Sequence, residues 1–100
     1  MSAKSEKSAY QEAVEARVKA LDAQVETLKA KAAIAKADAK VKYQEQLDEL
    51  QVKQTELAAK LESMKGSAEN AWEEMKVGVE SAWSELQIAF DKAKTKFDDV

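Results

Sequence analysis

Between Ser8 and Lys65 nothing in the chain stops a helix: the sequence has no proline, and its two glycines, Gly66 and Gly78, both lie later. Alanine, the residue least costly to hold in a helix, is abundant there, and large apolar residues are sparse. The stretch therefore predicts one continuous helix over residues 8–65, roughly 58 residues and about 87 Å long at the usual rise. Ser8 followed three residues on by Gln11 has the form of a capping box, with Ser5 as the alternative cap, so residues 1–7 are expected to be a disordered N-terminal tail.

Along this helix the apolar positions Val14, Val18, Leu21, Val25, Leu28, Ala32, Ala35 and Ala39 follow steps of four and three, with Ile34 competing for the slot of Ala35. That spacing keeps one stripe turned toward a partner helix. Beyond Ala39 the seam shifts by one residue and resumes at Tyr43, Leu47, Leu50, Leu57, Leu61 and Met64. Such a stutter unwinds a coiled coil locally and leaves the helix intact. A kink near residues 35–43 is the alternative, and it would let one chain build its own three-helix bundle. The alanine-rich stretch AKAAIAKADAK suits a close helix crossing, because small side chains let backbones approach.

The one clear punctuation is MKGSAEN. Gly66 suits the left-handed conformation that ends many helices, and Ser67 suits the cap of the next one, so residues 66–67 are read as a turn. Lys60 and Lys65 sit at the negative end of the first helix dipole; Glu69, Glu73 and Glu74 sit at the positive start of the second. An amphipathic tail helix is expected over residues 68–98, roughly 45 Å long, folded back antiparallel on the first in a single-domain hairpin.

The tail writes one pattern twice, AWEEMKVGVES and AWSELQIAFDK, with its tryptophans eleven residues apart. Eleven residues make three turns plus about 20°, so Trp72 and Trp83 share a line, as do Met75 with Leu86 and Val79 with Phe90, ending near Phe97. Left in water this face would be a patch of several hundred square ångströms, so it is expected to form the hairpin core with Tyr43 to Met64. A tail half as long as the first helix leaves the seam from Val14 to Ala32 uncovered. The expectation is then an all-α homo-oligomer, a dimer or tetramer, in which antiparallel long helices and their tails form a coiled-coil, four-helix bundle.

Chemistry is narrowed by what the sequence lacks. With no histidine or cysteine, the commonest general base, the commonest transition-metal ligand and all thiolate chemistry are missing. Acidic pairs such as Glu69 with Glu73, or Asp48 with Glu49, are read as solvated faces, and Ser63, Ser67, Ser81 and Ser84 have no histidine to activate them. No catalytic, cofactor or metal site is expected. The net charge of -3 argues against nucleic acid. Lysines crowd residues 29–42 and acids crowd residues 69–91, which implies solvated faces or complementary docking between the two runs. No run is long and apolar enough to serve as a leader or membrane span, so a cytoplasmic, soluble protein is expected.

The hairpin pattern and the tail AWEEMKVGVESAWSELQIAFDKAKTKF resemble a group of small, uncharacterised bacterial coiled-coil proteins that pair a long charged helix with a tail of this kind. The eleven-residue period is also similar to that of apolipoproteins, phasin-like granule coats and late-embryogenesis-type protective proteins. The leading functional expectation is a non-enzymatic structural or protein-interaction module that self-associates, with Val14, Val18, Leu21, Val25 and Leu28 at the intersubunit contact. The alternative is an amphipathic binder of lipid or granule surfaces, with the tail helix detached. Stress protection by folding on demand is the third.

Overall fold

Helices that cover one another fully must match in length, and this chain achieves the match by breaking its long helical stretch in two. The computed structural model describes residues 5–98 and contains three helices: α1 (Glu6–Ala33), α2 (Ala37–Lys65) and α3 (Trp72–Asp98). Their 28, 29 and 27 residues give three legs of nearly equal length, each about 42 Å at 1.5 Å per residue. The result is a rod of 55 × 25 × 17 Å with a radius of gyration of 16.2 Å, against the roughly 13 Å of a compact 100-residue domain. No strand occurs among the described residues.

The unbroken helix over residues 8–65 is therefore corrected. Ile34 closes α1 near φ -101°, ψ 3°, and Lys36 opens α2 in extended backbone at φ -67°, ψ 157°. The physical reason lies in the burial that the break permits. It folds α1 back along α2, so the seam meets apolar partners in its own chain, which outweighs the local helical preference of an alanine-rich stretch.

Cross-helix contacts fix the directions. Asp22 accepts from Gln54 at 2.8 Å and Glu15 pairs with Lys65 at 2.8 Å, so α1 and α2 run oppositely. Glu49 pairs with Lys92 and Lys53 with Glu85, both at 3.9 Å, so α2 and α3 do too. Arg17 with Glu80 and Lys31 with Asp98 then set α1 parallel to α3. These exposed pairs mark register and are worth at most about 1 kcal/mol each. The core is filled by Leu50, Leu57, Met64, Val14, Val25, Val79 and Leu86, all essentially without solvent contact; each is worth about 1.5–3 kcal/mol of burial.

The helix ends differ from expectation in detail. Ser5, not Ser8, caps α1: its Oγ accepts from the Ser8 amide at 3.1 Å, and α1 begins at Glu6. The tail expected over residues 1–7 is corrected for Ser5, Glu6 and Lys7, which belong to the cap and first turn of α1; its residues 1–4 lie outside the described residues. Gly66 is right-handed, at φ -80°, ψ -7°, and no described residue has positive φ. The Ser67 hydroxyl turns back to donate to Met64 O at 2.6 Å and accepts from no amide of the third helix, so it does not cap it. The connection consequently runs from Gly66 to Ala71, and the third helix starts at Trp72, four residues later than expected.

Candidate functional site

The predicted seam faces inward within one chain. Val14, Leu21, Val25, Leu28 and Ala32 are buried, while Val18, Ala35 and Ala39 are half-buried against the same core. The uncovered stretch from Val14 to Ala32 that required a second copy does not exist, because α1 lies against α2 and α3. Of the predicted hairpin core, Tyr43, Leu47, Leu50, Leu57, Leu61, Met64, Trp72, Val79, Leu86, Phe90 and Phe97 are buried.

Two residues of that set depart from it. Met75 is 38% exposed; it borders Ala59, Ser63 and Gly78, which are too small to cover it, and the flexible side chain of Lys60. Trp83 is half-buried: the part of α1 beside it offers Arg17, Ala20 and Gln24, with Leu21 turned into the core. In their place Ala82, Ala89 and Ala93 are buried on α3. With Gly78 they form a line of small residues, and α3 approaches α2 more closely than α1 does.

Two α1 residues organise one end of the rod. Lys7, only 9% exposed, donates through Nζ to Lys65 O at 3.0 Å and to Ser67 O at 2.6 Å. It places a positive charge on the last carbonyl of α2 and on that of Ser67 just beyond it, where the helix dipole favours one. Tyr10 packs its ring against Trp72 at 5.8 Å, with the Lys76 ammonium 4.9 Å from the Tyr10 centroid and 5.7 Å from that of Trp72. Its hydroxyl donates to Glu80, which also accepts from Arg17 at 3.3 Å. Tyr10 lies four residues before Val14 and so extends the seam, a signal present in the sequence. The role of Lys7 has no sequence signal, since a lysine at a seam position reads as an exposed one.

This cluster is built to hold helices together. Burial first, and then the hydrogen bond to Glu80 and its charge, push the Tyr10 phenol well above its ordinary value, so it stays protonated and is poorly suited to act as a base or nucleophile. Lys65 is likewise raised, by its hydrogen bond to and the charge of Glu15. Among the described residues no group of three or more acidic side chains is placed to hold a metal ion, and no helix is long and apolar enough to cross a membrane.

At the opposite end Tyr43 stacks on Phe97, with centroids 3.9 Å apart, and its hydroxyl donates to Phe97 O at 3.3 Å. Around this end stand the lysines of residues 29–42. The acidic run on α3 does not dock on them: Lys29 pairs with Glu26 and Lys31 with Asp98, while Glu80 and Glu85 pair with Arg17 and Lys53. Lys36, Lys40 and Lys42 form no ion pair with a described residue. Ile34 stands between them at 87% exposure and Val41 at 62%. Comparison with protein-family models, curated proteins and solved structures finds no match to this chain.

Proposed function

We propose that the chain is a non-enzymatic structural and protein-interaction module that associates with a second copy of itself by exchanging α1 across the Ile34–Lys36 turn. The character of that turn carries the proposal. It is made of Ile34, Ala35 and Lys36 between Ala33 and Ala37, none of which needs a non-helical conformation. No side chain caps α2 at Lys36, and the backbone bonds there are local, Ala35 N to Ala32 O at 3.2 Å and Lys40 N to Lys36 O at 2.8 Å.

Straightening the turn joins α1 and α2 into one helix and restores the helical bonds lost at two termini. The seam of Val14, Val18, Leu21, Val25 and Leu28 then packs on α2 and α3 of the second copy with contacts it already makes within one chain. Two continuous helices would cross near Ala32, Ala35 and Ala39, whose small side chains admit a close approach. Exchange of an identical element around a two-fold axis is a low-cost route to a dimer. Detaching α3 to coat a lipid or granule surface has no comparable support, since it would strip Trp72, Phe90 and Phe97 from the core.

The test is light scattering after chromatography on protein refolded at micromolar and at millimolar concentration. A dimer that increases with refolding concentration, and that Ala35→Gly suppresses by favouring the turn, is the expected result. A monomer at every concentration overturns the proposal.

A further inference from the structure

We propose that the Ile34 end of the closed bundle docks on an anionic lipid bilayer, with Ile34 entering the headgroup boundary and Lys36, Lys40 and Lys42 facing the lipid phosphates and carboxylates. Ile34 is 87% exposed at the apex of a three-residue turn. The residues beside it, Ala33, Ala35 and Ala37, are too small to hide it. From Lys29 to Lys42 there are five lysines against the single acid Asp38. Lys36, Lys40 and Lys42 fall within the turn and the first two turns of α2, about 9 Å along the axis or less, so all lie within roughly one Debye length of a surface touched by the apex.

The shape of this end favours a bilayer over a folded acidic protein. A protein partner recognises an apolar anchor by enclosing it in a pocket, usually as part of a broad contact. Here Ile34 tops a narrow convex end of a rod 25 × 17 Å in section, with exposed Val41 seven residues on in α2. A fluid interface admits such a side chain without a preformed pocket, and clustered lysines are attracted to its negative surface potential.

Net charge does not oppose the docking. Glu6, Glu69, Glu73 and Glu74 belong to the other end of a molecule 55 Å long, several Debye lengths away at physiological salt, where the screening length is about 8 Å. Among the described residues Asp38 and Asp98 are the acids nearest the apex, and Asp98 is already engaged by Lys31. The rod is therefore expected to stand on the membrane by its basic end, held reversibly, with its aromatic core intact. This differs from lipid binding by a detached tail helix, in which that core would open.

The α1-exchanged dimer has no Ile34 turn, so the monomer fraction of the full chain is used; docking can therefore fail or succeed independently of exchange. Co-sedimentation is measured with vesicles of phosphatidylcholine alone and of phosphatidylcholine mixed with phosphatidylserine. Binding to the mixed vesicles alone is expected. Lys36→Gln with Lys40→Gln should weaken it about 25-fold, taking roughly fivefold for each lysine near the surface, and Ile34→Ser about tenfold. All three positions are exposed, so the helical melting curve should be unchanged. Absence of binding to the mixed vesicles overturns the proposal, as does binding indifferent to Ile34→Ser. Retention on immobilised polyglutamate without vesicle binding would assign the patch to an acidic protein and overturn it too.

Discussion

The two connections of this bundle solve the same problem, reversing a helix, in opposite ways. Gly66–Ala71 is fastened from a distance: Lys7, about sixty residues earlier, donates to the carbonyls of Lys65 and Ser67, and Trp72 beyond it packs on Tyr10. Ile34–Lys36 makes only bonds to its near neighbours, leaves Lys36 without a side-chain cap and holds Ile34 in water. A glycine and a serine announce the first connection. The second exists because α1 gains more by covering α2 and α3 than the chain gains by staying helical through three residues. One connection is thus a locked corner; the other, in the α1 exchange proposed above, is a hinge.

Breaking the core on which both connections depend should produce the largest effect. Leu50→Ala, at a fully buried site facing the interior, is expected to cost about 3–4 kcal/mol in urea unfolding. Half-buried Trp83→Ala should cost about half as much, and an equal loss would return Trp83 to the core.

The locked corner is probed by Lys7→Met, which keeps most of the apolar stem and removes two charge-assisted bonds. A loss of about 1–3 kcal/mol is expected, against less than about 0.5 kcal/mol for Ile34→Ser at the hinge. Comparable losses at the two positions would erase the contrast. In the other direction, Lys36→Ser supplies the missing cap of α2 and should add about 1 kcal/mol while reducing exchange of α1.

Gly78→Ala is a smaller test on α3. A methyl there would meet Lys60 Cδ at 3.7 Å, an ordinary contact, so the helical advantage of alanine should appear as a gain of about 0.5–1 kcal/mol. The smallest expected effect depends on pH. The folded state holds the Tyr10 proton more tightly than the unfolded chain does, so above the ordinary tyrosine value of about 10 the unfolded state releases protons first and stability falls as pH rises. Tyr10→Phe should lose that share of the alkaline slope; an identical slope would mean that the Glu80 contact does not hold the Tyr10 proton.

Much of this fold is legible in the sequence. Spacing places Val14 to Ala32 and Tyr43 to Met64 on inward faces, and Trp72, Val79, Leu86, Phe90 and Phe97 opposite them. The break at Ile34–Lys36 is not legible locally, because alanine and lysine prefer a helix there and only the whole-chain balance of burial overrides them. A clue lies in arithmetic: a tail half as long as the preceding helical stretch fits three equal legs as well as it fits a dimer. Met75 and Trp83 depart from the eleven-residue pattern because the periodicity gives the direction a side chain points, while exposure also depends on how large its neighbours are.

The most direct measurement is the distance between spin labels at Lys19→Cys and Glu56→Cys, exposed positions on α1 and α2, in labelled monomer diluted with unlabelled chain. The closed Ile34–Lys36 turn of the monomer predicts a separation under about 25 Å, from helices packed 8–10 Å apart plus the label arms. A separation near 55 Å, the span of roughly 37 residues in one continuous helix, would contradict it.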